Sequence, residues 1–312
     1  MAQTARIDLG KHLMTLKNKL DALMPEVGDY PTPFEGVQMY RRHEAMEHKS
    51  IIYKPVVIII AQGQKCVRIG DDELIYGENS YFVAGVDMPT ACAMRNTTPE
   101  NPYLSIAIDL DRSLIAQLAA EVPPVSGKEN LPSRGAMVAE MDVGFLDALL
   151  RLVELIEEPG QASVLQPLII KEIHYRLLAT PFGNKLRAIN TFGTPSNQIA
   201  QAIAWLSANF RTPIDVEELA KHANMATSTL HKHFKEVTAL SPLQYQKRLR
   251  LAEAQRLMMT MGYDTAQACA EVGYESLTQF NREYKRLFGA PPRRDVVRMQ
   301  TVIGEQPSAV AI

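Results

Sequence analysis

The last hundred or so residues of this 312-residue sequence partly repeat themselves at an offset of 50, and no other feature restricts the fold as much. Ala220 recurs as Ala270, Ala223 as Gly273, Leu230 as Phe280, Phe234 as Tyr284, Lys235 as Lys285, Val237 as Leu287 and Pro242 as Pro292. Each copy reads as a short helix (Val216 to His222; Thr265 to Glu271), a tight turn, and a second helix (Ser228 to Val237; Leu277 to Phe288). That is the grammar of a helix-turn-helix. Thr227 and Ser276 are suited to cap the second helices, because a side-chain oxygen can accept from an unpaired N–H of the first turn. Leu230, Phe234 and Val237 fall at i, i+4 and i+7, as do Phe280, Tyr284 and Leu287, so each second helix has one stripe to bury.

The opposite faces carry Ser228, Thr229, His231, Lys232 and Lys235 in one copy, and Thr278, Gln279, Asn281, Arg282 and Lys285 in the other. A helix fits the major groove, where Arg or Lys pairs with guanine acceptors, Gln or Asn with adenine, and an apolar group such as Leu277 touches a thymine methyl. Solvation alone explains one isolated polar face; two matched copies argue for recognition. Between the copies, PLQYQKRLRLAEAQRLMM reads as one amphipathic helix of about 19 residues, roughly 28 Å long at about 1.5 Å per residue. That length is comparable to the roughly 34 Å between successive major-groove faces, so a single chain can read adjacent grooves. Lys235, Lys247, Arg248, Arg250 and Lys285 are candidate phosphate contacts. Charge is segregated accordingly: Ser196 to Gln300 holds 14 basic against 10 acidic residues, Met1 to Pro195 holds 19 against 24.

Residues 36 to 110 are a series of short extended segments rich in Val, Ile and Tyr, punctuated by Gly, Asp and Asn, which predicts a β-barrel or sandwich. VGFLDALLRLVELIEE and SVLQPLIIKEIHYRLLAT then place apolar residues at helical spacing around Pro159-Gly160, predicting a helical hairpin. Pro181, Gly183, Gly193 and Pro195 mark an interdomain connection. No apolar run approaches the roughly 20 residues of a membrane helix, and the N-terminus lacks a signal-peptide core, so a cytoplasmic protein is expected.

VEELAKHANMATSTLHKHFKEVTALSPLQYQKRLRLAEAQRLM followed by ACAEVGYESLTQFNREYKRLFGAPPRRD resembles the AraC/XylS family of transcription regulators over the whole C-terminal domain. The resemblance implies that the second helix of each unit reads bases, through Ser228, His231 and Lys232, then Leu277, Thr278, Gln279 and Arg282. Tyr284 stands where the family often has Phe, and Cys269 where a small residue is commoner. YKPVVIIIAQGQKCVRIG, Tyr76-Gly77, Tyr81 and VDMP resemble one family branch, implying a cupin-like β-barrel that senses an effector, followed by dimerisation helices. The expected architecture is an α+β multidomain chain: an N-terminal extension (1–35), a cupin-like β-barrel (36–135), a helical dimerisation hairpin (136–183), a linker (184–195), an all-α double helix-turn-helix domain (196–300) and a flexible tail (301–312).

The rival reading is a metal enzyme fused to a DNA-binding module. Its ligands would have to come from His43 and His48, beside Glu44 and Glu47; no HxH with a suitably spaced Glu occurs, so no metal, no cofactor and no catalysis are expected. Cys66 and Cys92 are candidate thiol sensors, with buried structural cysteine as the commoner alternative. Tyr53, Tyr76, Tyr81 and Phe82 are candidate pocket residues, and Leu146, Leu149, Leu150, Val153, Leu168, Ile169, Ile173 and Leu177 candidate dimer contacts, each with core packing as the alternative. The expected partners are double-stranded promoter DNA, RNA polymerase, a second copy and a small-molecule effector, without a membrane.

Overall fold

The computed structural model describes residues 2–125 and 134–304; for residues 2–7, 47, 48 and 300–304 it describes the backbone alone. In chain order the elements are α1 (Ala2–Leu23), β1 (Gly28–Pro31), β2 (Val37–Arg42), β3 (Met46–Tyr53), β4 (Val56–Gln62), β5 (Gln64–Ile69), β6 (Asp72–Gly77), β7 (Ser80–Ala84), β8 (Met88–Arg95) and β9 (Tyr103–Asp109). They continue with α2 (Arg112–Glu121), β10 (Ala136–Glu140), α3 (Val143–Glu154), α4 (Pro159–Leu178), α5 (Gly183–Asn190) and α6 (Pro195–Asn209). Last come α7 (Val216–His222), α8 (Thr227–Thr238), α9 (Pro242–Thr260), α10 (Thr265–Glu271), α11 (Leu277–Phe288) and α12 (Pro292–Gly304).

The β-rich half is two antiparallel sheets, ordered β1-β2-β9-β4-β7-β10 and β3-β8-β5-β6, facing each other without closing into one barrel. β4 shows why its sequence is a continuous apolar run. All seven of its residues are buried, because Val57, Ile59 and Ala61 face a helical layer while Val56, Ile58 and Ile60 face the space between the sheets. The helical layer is α1, α3 and α4. α3 is capped by Asp142, whose carboxylate accepts from Phe145 N at 2.7 Å; Pro159 occupies the first turn of α4, where a missing N–H costs nothing.

Two segments differ from their sequence reading. The stretch 1–35, read as an extension, contributes Leu16, Leu20 and Met24 to the core at zero exposure. Within 184–195, read as a linker, α5 buries Leu186 and Ile189, and the Arg187 guanidinium donates to the carbonyls of Ala119, Val122 and Pro123. An eight-residue helix with two core side chains offers too little periodicity to register in sequence. The end of the chain expected to be flexible is helical to Gly304; residues 305–312 lie outside the described residues.

Apolar packing divides in an unexpected place. One cluster joins α1 to α5 with the outer face of the larger sheet; a second runs from the space between the sheets through Ala84, Val86 and Met88 into α6, α7, α8 and the first half of α9; a third belongs to the rest of α9, α10 and α11.

Candidate nucleic-acid interface

In the first unit Asp215 caps α7, accepting from Glu217 N and Glu218 N, and Leu219, Ala220 and Ala223 are buried. In the second, Asp264 and Gln267 form a reciprocal capping box on α10, and Ala268, Cys269 and Val272 are buried. The first helices therefore correspond at an offset of 49, not 50: Ala220 matches Cys269, Ala223 matches Val272, and the left-handed residue that turns the chain is Asn224 (φ 50°) in one and Gly273 (φ 82°) in the other. The turn of the second unit holds one residue more. The pairings Ala220 with Ala270 and Ala223 with Gly273 are thus corrected, Ala270 being exposed. Gly273 is obligatory: a Cβ there would lie 1.9 Å from the carbonyl oxygen of Arg211.

From the turn onward the offset is 50, with Leu230 and Phe280, then Phe234 and Tyr284, fully buried in register. Ser276 caps α11 as expected, accepting from Gln279 N at 3.3 Å. Thr227 does not cap α8; it is already helical, and Ala226 holds the cap position without a side-chain bond.

The residues expected to read bases, Ser228, His231 and Lys232 on α8 and Leu277, Thr278, Gln279 and Arg282 on α11, are all exposed, as are Lys235 and Lys285. Leu277 is 44% exposed, unusual for a leucine in the first turn of a helix that has an apolar stripe to bury. Of the three arginine and lysine candidates on α9, Lys247 is exposed as well, and Arg248 and Arg250 are not. The Arg250 guanidinium donates to the carbonyls of Phe210, Gly273 and Arg211, one from each nitrogen, and lies over the Tyr274 ring, so it ties the two units together. Arg248 is half-buried, its pKa lowered by burial and by Arg68 and Arg286 nearby. Lys247 is paired with Glu283 at 2.7 Å.

Glu283 is the residue the sequence reading passed over. It accepts from Lys247, from Tyr274 Oη at 2.7 Å and from Gln279 Nε2 at 3.2 Å. Burial pushes its carboxyl up, but the three donors outweigh burial and hold it below the usual range. An acidic residue on a helix meant for DNA looks like a mismatch in sequence; in the fold it fixes the rotamer of a candidate base reader.

In the N-terminal half, Tyr53, Tyr76 and Phe82 face the space between the sheets, with ring centroids 5.3 and 5.6 Å apart. Tyr81 points the other way and stacks on Phe145, since neighbouring strand residues alternate faces. The hydroxyls of Tyr76 and Tyr103 are buried without a hydrogen-bond partner among the described residues. Cys92 bonds the Tyr53 hydroxyl at 3.2 Å. Cys66 donates to Glu73 at 2.7 Å; burial first, then that bond, pushes its thiol up to about 11, the reverse of activation. His43 accepts from Arg41, and the His48 side chain lies outside the described residues. Among the described residues no three His, Cys, Asp or Glu side chains converge as a metal set, and no helix is long and apolar enough to cross a membrane.

The family model of the AraC-type transcriptional regulator N-terminus matches residues 33–185, and that of a helix-turn-helix domain matches residues 219–295. The chain belongs to the AraC family of transcription regulators. Among curated AraC-family relatives, GbdR of Pseudomonas aeruginosa is 31% identical over 101 residues, covering 32% of this chain and 28% of GbdR. RhaS of Salmonella schwarzengrund is 26% identical over 151 residues, covering 47% and 53%. The chain thus spans about half the length of these relatives or less. The fold is similar to that of ToxT from Vibrio cholerae, at TM-score 0.55 and 9% identity over 86% of this chain and 99% of that one; a structure of ToxT with an unsaturated fatty acid bound aligns at TM-score 0.55 and 10% identity over 83% and 94%. The AraC-type hairpin of α3 and α4 is spent largely on its own chain: of the eight expected dimer contacts, Leu146, Leu149, Leu150, Val153, Ile169, Ile173 and Leu177 are buried within this chain, and Leu168 is 60% exposed.

Proposed function

We propose that this chain is a sequence-specific DNA-binding transcription regulator that reads two adjacent major grooves with α8 and α11 under the control of an effector taken up between its sheets. The observation that carries the reading is the pair of exposed polar faces on α8 and α11, presented by two helix-turn-helix units joined through a single 19-residue helix. Ser228, His231, Lys232, Leu277, Thr278, Gln279 and Arg282 contact bases, and Lys235 and Lys285 neutralise phosphates. Lys247, exposed on α9, and Arg248, close to Arg68 and Arg286, serve the phosphates as well, whereas Arg250 serves the protein's own geometry. Promoter DNA is the partner, and RNA polymerase acts beside it.

The effector is a small molecule carrying a hydrogen-bonding group, supported by the unpartnered Tyr76 and Tyr103 hydroxyls in an interior that also holds the buried Lys65, its ammonium 5.2 Å from the Tyr53 ring centroid. The regulator works as a homodimer through the outer face of α4, where Val164, Leu165, Leu168 and Tyr175 are exposed. Selection of bound sites from a random DNA pool with the full chain tests the reading. A two-part motif spanning about one helical turn between its halves is expected, with affinity falling steeply as salt rises. A pool that enriches no motif rejects it.

A further inference from the structure

We propose that the N-terminal domain holds the first recognition helix, α8, by its C-terminal end, in a seat built from Gly70, Asp72, Arg134 and Gly135, and that this seat sets how α8 meets DNA. The proposal rests on the DNA-reading function above.

The last carbonyls of a helix lack partners within it and form the negative end of its dipole. On α8, three consecutive ones receive donors from outside the DNA-binding domain. Arg134 Nη1 donates to the carbonyls of Lys235 at 2.8 Å and Glu236 at 3.0 Å, and Gly135 N donates to that of Val237 at 3.0 Å. Arg134 is itself aimed by Asp72, its Nε 2.7 Å from the carboxylate. The carbonyl of Gly135 accepts from Gly85 N at 2.8 Å, directly after β7, so the seat continues the sheet whose Phe82 faces the interior.

The residue that ends α8 fits the same picture. Ala239 adopts the left-handed conformation (φ 62°) that its counterpart Gly289 adopts at the end of α11 (φ 79°). Alanine takes this conformation at a cost that glycine avoids. Its methyl group has a use that a glycine could not serve. A Cβ built on Gly70 would lie 2.5 Å from the Ala239 Cβ, so the methyl occupies a notch that only glycine leaves open. Gly135 allows a similar approach, since a Cβ there would meet Val86 at 2.7 Å and Val237 at 3.0 Å. At Gly289 nothing lies within 4 Å.

The seat grips one end of α8 and leaves the other open: Ser228, His231 and Lys232 remain exposed. Arg134 is therefore a positioning residue, and its effect falls on one unit only.

The test uses the full chain on a selected site, with affinity measured after every single-base change. Lys232→Ala identifies the bases read by the first unit, Gln279→Ala those read by the second. Arg134→Ala is expected to cut discrimination at the first set by about five-fold or more and to leave the second set unchanged; Arg134→Lys, retaining a donor, restores part of it. Ala239→Gly eases the helix end yet removes the methyl, and it shifts discrimination in the same direction. Should Arg134→Ala fail to fold, Asp72→Ala at a half-exposed position carries the same expectation. Discrimination unchanged at both sets, or lost equally at both, overturns the proposal. A wild-type chain without base preference would instead reject the DNA-reading function itself.

Discussion

The two helix-turn-helix units share a backbone and differ in what surrounds it. In the first, Leu219, Leu230, Phe234 and Val237 belong to the same apolar cluster as Ile58, Phe82 and Met88 of the sandwich. In the second, Ala268, Val272, Phe280 and Tyr284 close against the far half of α9; α11 passes beside β3 but shares no cluster with it. The same motif thus serves once as an extension of the N-terminal domain and once as a nearly self-contained unit. A change between the sheets acts directly on the packing of one unit and reaches the other through α9, through Phe210, which packs on both clusters, and where α11 passes beside β3.

Core truncation breaks this contrast most forcefully. Phe234→Ala and Phe280→Ala each remove a fully buried ring and are expected to cost about 3–5 kcal/mol, but in different places. Trp205, the sole tryptophan, stacks on His222 of the first unit at 5.1 Å and reports on that side. Phe234→Ala should lower the melting transition followed by its fluorescence. Phe280→Ala should leave that transition near wild type while removing hydrogen-exchange protection from α10 and α11. Equal fluorescence shifts in both variants would mean that the molecule has a single cooperative core.

Base reading gives a smaller and sharper contrast. Arg282→Ala is expected to weaken specific binding by about 1–3 kcal/mol, the range of a bidentate base contact, with non-specific binding little changed. Ser228→Ala at the first unit should cost less, because a short hydroxyl makes fewer contacts. Titrations on a selected site and on a scrambled one separate the two, and an Arg282→Ala variant with unaltered base preference would take that residue out of the reading set.

How much of this contrast was legible follows from what repeats record. Leu230, Phe234, Phe280 and Tyr284 declared themselves by spacing, and with them both second helices, α8 and α11, and their exposed faces. The extra residue in the second turn did not, because Ala220, Ala223, Ala270 and Gly273 are all small and pair plausibly at either offset. Glu283 and Arg250 were hidden for another reason: Gln279, four residues before Glu283 on α11, is a local partner, but Lys247 and Tyr274, like every partner of Arg250, lie on other elements, so the sequence marks neither the full clamp nor the strut. The seat for α8 joins Gly70 and Arg134 to residues about a hundred positions or more away, and a pattern along the chain carries no trace of such contacts. Likewise α1 entered the core although its residues read as an extension, since its apolar positions find their partners on α3 and the larger sheet.

The ends of α8 and α11 offer a backbone test. Gly289→Ala places a methyl at a left-handed position with open space around it, so the cost is conformational alone, about 1 kcal/mol, read as a lower urea midpoint for exchange of α11 amides. No compensation from packing is available there, in contrast to Ala239. A neutral Gly289→Ala would show that α11 ends differently in solution.

Acid should separate the N-terminal half, with the first unit packed on it, from the second unit by pH window. His174 is buried beside α2: its Nε2 accepts from Asp111 N at 3.0 Å and its Nδ1 donates to the Ile170 carbonyl at 2.8 Å, which fixes the neutral ring. Burial lowers its pKa, so the unfolded chain binds a proton first as pH falls. Stability of the sandwich side is then complete above the ordinary histidine value of 6.5 and declines below it, by at most about 1.4 kcal/mol per pH unit, until the folded ring titrates. Glu283 works in the opposite chemical sense. Its carboxyl is held low by Lys247, Tyr274 and Gln279, so its contribution is present above the ordinary value of 4.5 and is lost as pH falls through the folded one. Between these windows, at about pH 5 to 6, the Trp205 transition should already have dropped while α10 and α11 keep their protection. His174→Gln should flatten the first decline and leave the second in place. A single acid transition shared by both probes would show instead that the first and second units unfold together, through the common helix α9.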